Sequence, residues 1–372
     1  MVCLVSCPRK HFWQYEIGLR KDATPVALRF GSAWARAMEA WRKGFKYQKA
    51  LSIAIPEGVD LDLYDCSTIA ALLAGYYDYY GLAGKSEKLV PEFEFGPVEL
   101  GDETGMTLRG KIDSLGIMQN KQGVLYEDKT TSDSVDIDSD YWLRLRFNLQ
   151  VLNYVCEARR AGRRVDVVWY NVVRKPSIKP KQVDELDEQG LKIVVDSKGV
   201  RQFKTVCKTV EKMVSVKGKK KPERVIEKVT AQDEPYQSAN KAKGWIVKSH
   251  LETPDQYCDR LYEDTKARPE FYFCRKEIPI IDDELAQFER QRLELAHIIN
   301  YMRSREIDVS FNNDYERDAG AWPRNVSENT CNFCAYKSFC LQNLSINPQQ
   351  PPQGFSIQPF NPELSNATTT TT

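Results

Sequence analysis

Apolar residues at helical spacing dominate the first part of the chain. They recur with the period of an α-helix from Trp34 to Trp41, and a tyrosine-rich apolar run from Thr68 to Leu82 is long enough for another helix. This pattern predicts a mostly helical segment over residues 1–90.

From Val90 the pattern changes to short stretches in which apolar and polar residues alternate. Phe93–Phe95 and Met106–Met118 have the period of strands, and a turn bearing Asn and Gly at 119–123 leads into Val124–Thr130. Alternation on both sides of such a turn is typical of a β-hairpin. We therefore expect two paired strands here.

A helix and a buried strand are predicted after the hairpin. Tyr141–Ala158 has helical periodicity, and Asp166–Val173 is apolar enough to lie in the centre of a sheet. Further on, Ile281–Arg303 has the pattern of a long amphipathic helix. Together these elements predict a fold of the α/β class, with a mixed central sheet flanked by helices.

Between these elements lies a basic stretch. Arg174–Lys248 contains 19 Lys and Arg against 10 Asp and Glu, a balance of +9 in a chain whose total is +1, so the remainder carries −8. Its most polar point, Lys217–Pro222, is predicted to be an exposed loop between two strands. Such asymmetry is compatible with a polyanion partner, but a solvated insertion explains the charge equally well.

These patterns divide the chain into five parts. We expect an N-terminal helical part at 1–90, a core at 91–175, the basic insertion at 176–250 and a completion of the core at 251–345. Residues 346–372 turn to Pro, Gln, Asn and Thr, and such a tail is predicted to be disordered because it buries too little apolar surface to order itself.

Composition narrows the class of protein only slightly. With 42% hydrophobic and 28% charged residues the chain has the make-up of a globular protein, and it lacks the apolar run of about 18 residues that spans a membrane. The N-terminus is too short in its apolar part to be a secretory signal. We expect a cytoplasmic protein without a membrane partner, whose ten cysteines are reduced.

Two carboxylates and a lysine fall on the predicted hairpin. Asp113 lies on its first strand, and Glu127 and Lys129 project together from the second, because side chains two apart on a strand share a face. Two convergent carboxylates suit Mg²⁺ or Mn²⁺, and an ammonium beside them can activate a water for attack on a phosphate. The alternative is a surface hairpin of solvated charges.

The helix that follows adds Gln150 and Tyr154, four residues apart and therefore on one helix face. In this order, Gly110-x-x-Asp113, Glu127-x-Lys129-Thr130 and Gln150-x-x-x-Tyr154 resemble the motifs of RecB-like nucleases of the PD-(D/E)XK superfamily, especially the iron–sulfur exonucleases. The likeness covers most of residues 1–340.

The resemblance implies a restriction-endonuclease-like core and a DNA exonuclease that depends on Mg²⁺ or Mn²⁺. By motif match, Asp113 and Glu127 would bind the metal, Lys129 would support the nucleophilic water, and Gln150 and Tyr154 would line the DNA path. Single-stranded ends are the expected substrate.

The chain departs from the family pattern at Ala35. Relatives carry a His in a Gly-x-x-x-His context of the N-terminal helix, where Gly31-Ser-Ala-Trp-Ala35 stands here. A metal ligand is therefore missing unless Glu39, Glu92 or Glu94 replaces it, and ordinary solvated charge is the alternative for all three. Loss of this ligand raises a second reading, a DNA-binding or assembly protein of the same fold that no longer cleaves.

Three cysteines near the C-terminus, Cys331, Cys334 and Cys340, have the spacing of metal ligands, whereas the other cysteines show none. In the iron–sulfur relatives a lone N-terminal Cys before Pro joins such a triplet around a [4Fe–4S] centre, which by resemblance assigns Cys7 as the fourth ligand. Cys3 competes but lacks the Pro. Zn²⁺ is the alternative metal, and with it a third reading, a zinc-stabilised structural protein.

Overall fold

Apolar segments of the sequence form helices that cover a central sheet. The computed structural model describes residues 2–23, 25–81, 88–101, 103–136, 138–214, 217, 223–310, 319–344 and 346–358. The chain divides into two units, the first made of Met1–Ser177 with Arg260–Thr372 and the second of Ile178–Asp259.

The α-helices of the described residues, in chain order, are α1 (Val2–Ser6), α2 (Pro8–His11), α3 (Val26–Arg42), α4 (Tyr47–Ala54), α5 (Leu63–Tyr80), α6 (Asp140–Arg146), α7 (Leu149–Arg160), α8 (Pro254–Ala267), α9 (Pro269–Tyr272), α10 (Asp282–Ser310), α11 (Glu328–Cys331) and α12 (Lys337–Gln342). Shorter helical turns are a π-helix at Phe12–Glu16 and 3₁₀ turns at Lys241–Lys243 and Ala319–Ala321.

The strands of the described residues are β1 (Leu19–Lys21), β2 (Lys88–Glu99), β3 (Thr107–Ile117), β4 (Gly123–Thr131), β5 (Val167–Arg174), β6 (Gln182–Asp184), β7 (Val194–Val195), β8 (Phe203–Val214), β9 (Glu223–Pro235), β10 (Ile246–Val247), β11 (Ser249–Leu251), β12 (Phe273–Pro279) and β13 (Phe355–Ile357).

The central sheet of the first unit has the order β12-β5-β4-β3-β2 among the described residues. β4 and β5 are parallel, joined through α6 and α7, and the other neighbours are antiparallel. Strand β5 lies in the interior of the sheet because its valines are apolar on both faces, and Val167, Val168, Val172 and Val173 are all buried. The predicted α/β class with a mixed sheet flanked by helices is confirmed.

The stretch predicted as one helix over 141–158 is two helices, α6 and α7. The chain leaves helical geometry at Phe147, and Asn148 starts the second helix, since its side-chain oxygen accepts the backbone N–H groups of Gln150 and Val151 at 3.0 and 3.3 Å. The new helix start redirects the segment that carries Gln150 and Tyr154.

The two ends of the first unit pack together around a shared apolar cluster. Phe12 and Trp13 from the N-terminal part are buried with Trp322 and Tyr336. Strand β1 pairs antiparallel with β13. Residues 346–358, part of the tail predicted to be disordered, thus contain a strand. Phe355 of this strand packs against the aromatic rings of Tyr336 and Phe339, which supplies apolar burial that the polar residues around it lack. Residues 359–372 lie outside the described residues.

The second unit, Ile178–Asp259, has sequence bounds close to those of the predicted basic insertion at 176–250. Its long hairpin pairs β8 with β9 antiparallel. Of the loop predicted between them, Lys217 is described and is exposed, whereas Lys219–Lys221 lie outside the described residues. No helix in the described part of the chain is long and apolar enough to cross a membrane.

Candidate active site

The β3–β4 hairpin opens where the predicted carboxylates lie. The ladder between the two strands stops with Ser114 opposite Tyr126, and Asp113 and Glu127 are the next residues on their strands. Beyond this point β4 stays paired with β5, and β3 with β2. Asp113 and Glu127 therefore lie where two strands of the sheet part.

Glu127 is a buried carboxylate, 2% exposed, with one oxygen bonded and one not. Lys129, on the same strand face, donates from Nζ to Oε1 at 2.5 Å, while Oε2 is buried without a hydrogen-bond partner among the described residues. Burial raises the pKa of Glu127, and the Lys129 ammonium opposes this rise. The unpartnered oxygen is costly to bury and is suited to accept a cation.

Asp113 lies near enough to Glu127 for the two charges to interact. Its Oδ2 accepts the backbone N–H of Asp128 at 2.8 Å. Burial raises the pKa of Asp113 to about 8, and the carboxylates of Glu127 and Asp128 add to the rise, whereas the Asp128 N–H and the Arg42 guanidinium lower it. A cation bound beside Asp113 would favour its ionised form.

Lys129 keeps its charge in this pocket. Burial alone would lower the pKa of the ammonium, but the carboxylates of Glu127 and Asp113 outweigh that effect and raise it. A charged ammonium next to two carboxylates is a donor that can orient a water or a phosphate oxygen.

Gln150 and Tyr154 lie on one face of α7, as their spacing requires, and Gln150 Nε2 donates to the Tyr154 hydroxyl at 2.8 Å. Burial raises the pKa of Tyr154 to about 12, with Glu127 as the next contributor, so the hydroxyl stays protonated near the acidic pair. The Tyr154 ring packs edge-on against Phe95. Both rings pass over Gly110, where a Cβ would lie 2.4 Å from Phe95 Cζ and 3.1 Å from Tyr154 Cε1.

The three glutamates considered as substitutes for the missing His surround a lysine. Glu92 forms an ion pair with Lys111, two residues before Asp113 on β3, and Glu39 and Glu94 also raise the pKa of that ammonium. Glu39 additionally pairs with Lys43 within α3. Glu92 and Glu39 are therefore paired with lysines, and Glu94 is near enough to Lys111 for the two charges to interact.

Asp128 lies on β4 between Glu127 and Lys129. Strand alternation points its side chain away from theirs, so the sequence predicts no role for it in the site. The structure finds that side chain in a bidentate ion pair with Arg42 of α3, a residue that no motif singled out. The signal available in the sequence was that alternation turns Asp128 to the face of β4 opposite Glu127 and Lys129, where an acidic side chain that is buried requires a partner.

The donor set of Asp113 and Glu127 fits a hard divalent cation. Within the described residues, no three His, Cys, Asp or Glu side chains form a group able to hold a metal ion. Mg²⁺ commonly uses one or two protein carboxylates and completes its shell with waters and substrate phosphates. The buried, unpartnered Glu127 Oε2 beside Asp113 would be suited to that minimal protein contribution.

The four predicted cluster ligands, Cys7, Cys331, Cys334 and Cys340, line one cavity. Four cations line the same cavity: Arg9, Lys10, Arg324 and Lys337. Cys3, the competing candidate, is not one of the described residues that line it, and burial raises the pKa of its thiol to about 11. Burial also raises the pKa of the Cys334 thiol, and the backbone N–H of Tyr336 and the Lys10 ammonium oppose that rise, since positive side chains near thiols favour the thiolate forms that bind metals.

Comparison with known families agrees with this fold. The sequence model of the PD-(D/E)XK nuclease superfamily matches residues 2–341 of the chain. The chain therefore belongs to the PD-(D/E)XK nuclease superfamily. No curated protein and no solved structure matched it.

Proposed function

We propose that this protein is a metal-dependent DNA exonuclease that hydrolyses phosphodiester bonds at strand ends. The observation that carries the proposal is the buried Glu127, which has Lys129 on one oxygen and no partner on the other, next to Asp113. A structural ion pair needs one carboxylate and one ammonium; a second buried carboxylate beside it is costly unless a cation joins them.

In this proposal Asp113 and Glu127 hold Mg²⁺ or Mn²⁺. The bound cation supplies Lewis-acid polarisation of the phosphate and lowers the pKa of its water. Lys129 orients the attacking water and offsets negative charge on the phosphate. Gln150 and Tyr154 position the strand, because they present an amide and a protonated phenol from one helix face toward the acidic pair.

Single-stranded ends are supported as substrate by side chains on α6 and at Phe147, directly after it. Tyr141 of α6 is close enough to Lys129 and Glu127 for their charges to affect the pKa of its hydroxyl. From the same segment, Leu143 and Phe147 are 69% and 58% exposed, and the Arg146 guanidinium lies 5.4 Å from the centre of the Phe147 ring. Exposed aromatic and basic side chains suit stacking with unpaired bases.

A structural [4Fe–4S] cluster on Cys7, Cys331, Cys334 and Cys340 is the second part of the proposal. It is supported by the position of these four cysteines in the lining of one cavity, together with four cationic side chains. Its role is to join the N- and C-terminal parts of the first unit rather than to transfer electrons. Zn²⁺ on the same cysteines is the alternative, and metal analysis distinguishes the two. Reduced thiols and this cluster are consistent with a cytoplasmic location.

Ala35 favours one other function, a DNA-binding or assembly protein that no longer cleaves. The experiment that decides compares linear and circular single-stranded DNA, each labelled, with and without Mn²⁺. An exonuclease degrades the linear strand only, and only with the metal. Binding of both DNAs with cleavage of neither, under Mn²⁺ or Mg²⁺, would establish the binding-only function.

A further inference from the structure

The strand segment that carries Glu127 and Lys129 is held from its opposite face by a buried ion pair. Arg42 of α3 donates two parallel hydrogen bonds to Asp128, from Nη1 to Oδ2 and from Nη2 to Oδ1, each 2.6 Å. Both side chains are 3% exposed. Such a bidentate pair fixes angle as well as distance, which a lysine at the same position cannot do.

The pair belongs to a larger network that joins several elements. Asn171 of β5 donates to Asp128 Oδ1 at 2.8 Å and accepts from the Tyr76 hydroxyl of α5 at 3.0 Å. Arg275 of β12 in turn donates to the Tyr76 hydroxyl at 2.6 Å, with its guanidinium 3.7 Å from the centre of the Tyr80 ring. Side chains from α3, α5, β5 and β12 thus determine where Asp128 lies.

Asp128 connects this network to the carboxylates through its own backbone. Its N–H donates to Asp113 Oδ2 at 2.8 Å, immediately past the point where the β3–β4 ladder stops. Asp128 also stands between Glu127 and Lys129, so a shift of its backbone moves both neighbours. An ion pair that only stabilises the fold would need neither the hydrogen bond from Asp128 N–H to Asp113 nor a position between Glu127 and Lys129.

We propose that the Arg42–Asp128 pair is a positioning device for the metal-binding carboxylates, with Arg42 and Asp128 acting as positioning residues. It fixes the backbone at residue 128 so that Asp113, Glu127 and Lys129 keep the separation that a divalent cation needs. The inference rests on the proposed function, since it assumes that Asp113 and Glu127 bind a metal.

The test compares Arg42→Met and Arg42→Lys with a matched control elsewhere in the unit. The control is Arg292→Met, because Arg292 forms an equally buried pair with Glu157 at 2.5 Å, both side chains 1% exposed, between α10 and α7. Mn²⁺ affinity is measured by electron paramagnetic resonance without DNA, at a temperature where circular dichroism shows every variant folded. Asp128→Asn, which keeps the backbone N–H, replaces any Arg42 variant that fails to fold.

We expect Arg42→Met to weaken Mn²⁺ binding by about 10- to 100-fold, the usual effect of removing a group that orients a ligand, and Arg42→Lys to lie between it and wild type. Arg292→Met should leave Mn²⁺ affinity unchanged although it lowers stability. At saturating Mn²⁺, kcat should fall in Arg42→Met while KM for DNA does not rise.

Equal Mn²⁺ affinity in folded Arg42→Met, or in folded Asp128→Asn, and wild type would overturn the positioning role and leave only a stabilising pair. A wild type that binds no Mn²⁺ would instead overturn the proposed function, and this inference with it. The two failures are therefore distinguished by the wild-type measurement alone.

Discussion

At the scale of single residues, the site is defined by carboxylates in surroundings that disfavour their charge. Burial raises the pKa of both Asp113 and Glu127, and the carboxylates of Glu127 and Asp128 add to the rise at Asp113. Carboxyl groups with raised pKa values are common in functional sites, which is why these two are proposed as the metal-binding pair.

Metal binding should depend on pH because of Asp113. In the metal-free protein this carboxyl has a pKa of about 8, above its unfolded value, so it makes stability fall as pH rises from about 4 to about 8. Mn²⁺ must displace that proton, so its affinity should rise by about tenfold per pH unit up to about pH 8. Calorimetry in buffers of different ionisation enthalpy measures the proton released. Asp113→Asn should reduce the dependence to the part that Glu127 contributes, because burial raises the pKa of that carboxyl as well; an affinity independent of pH in wild type would contradict the assignment.

Position 35 allows a test in which a possible metal ligand is added. Gly31, Met38 and Arg42 contact or approach β4 and β5 from α3, and Ala35 shares their helix face. If this position has lost a ligand, Ala35→His should tighten Mn²⁺ and raise the rate of cleavage. Ser32→His, on an exposed position of the same helix, is the control. Equal effects of both changes would show that position 35 has no special relation to the metal.

At the scale of secondary structure, Gly110 lets α7 approach the sheet. Gly110→Ala places a Cβ within 2.4 Å of the Phe95 ring, so the ring and Tyr154 must move. We expect weaker DNA binding with nearly unchanged Mn²⁺ affinity, because Tyr154 is proposed to position the strand and not the metal. Gly31→Ala, whose Cβ meets only Thr130 at 3.8 Å, is the control. Equal DNA affinity in Gly110→Ala and wild type would argue against a role for Tyr154.

The elements were predictable where local pattern decides them. Apolar periodicity gave α3, α5, the β3–β4 hairpin and the interior position of β5. It missed the break at Asn148. The apolar periodicity continues through this residue, and the break depends on hydrogen bonds from two backbone N–H groups to the Asn148 side chain. It also missed β13, because this strand pairs with β1, which is distant in the sequence.

The candidate site was predictable to a smaller extent. Spacing along a strand and a helix put Glu127 beside Lys129 and Gln150 beside Tyr154, and the structure has both pairs in contact. The partnership of Arg42 with Asp128 was not accessible, since no local pattern relates a residue of α3 to one of β4. Buried ion pairs between distant segments are set by the fold as a whole.

At the scale of the whole first unit, hydrogen bonds join its N-terminal and C-terminal parts. Arg9 Nε donates to the Trp322 carbonyl at 2.7 Å, and Tyr336 donates to the Leu19 carbonyl at 2.6 Å. A cluster at Cys7, Cys331, Cys334 and Cys340 would add a covalent closure to this arrangement, which stabilises the unit by restricting its unfolded chain.

Loss of a cluster ligand should therefore cost both colour and stability. Anaerobically purified wild type should be brown, with broad absorption near about 400 nm. Cys331→Ala and Cys7→Ala should lose this absorption and melt at lower temperature, whereas Cys66→Ala, remote from the cavity lining, should do neither. Colourless wild-type protein with stoichiometric zinc would contradict the iron–sulfur assignment and support Zn²⁺.

The central claim, that Asp113, Glu127 and Lys129 form the catalytic site of a metal-dependent exonuclease, is tested most directly by DNA cleavage. End-labelled single-stranded DNA is incubated with Mn²⁺ and wild type, Asp113→Asn, Glu127→Gln or Lys129→Gln, with Glu157→Gln as a buried glutamate outside the site. Removal of a metal ligand or of Lys129 should cost several kcal/mol in the transition state, on the order of a thousandfold in rate. The account predicts that wild type and Glu157→Gln release nucleotides from the ends only when metal is present, and that the three site variants do not. Cleavage by Asp113→Asn or Glu127→Gln at the wild-type rate, or none by wild type with any divalent metal, would contradict it.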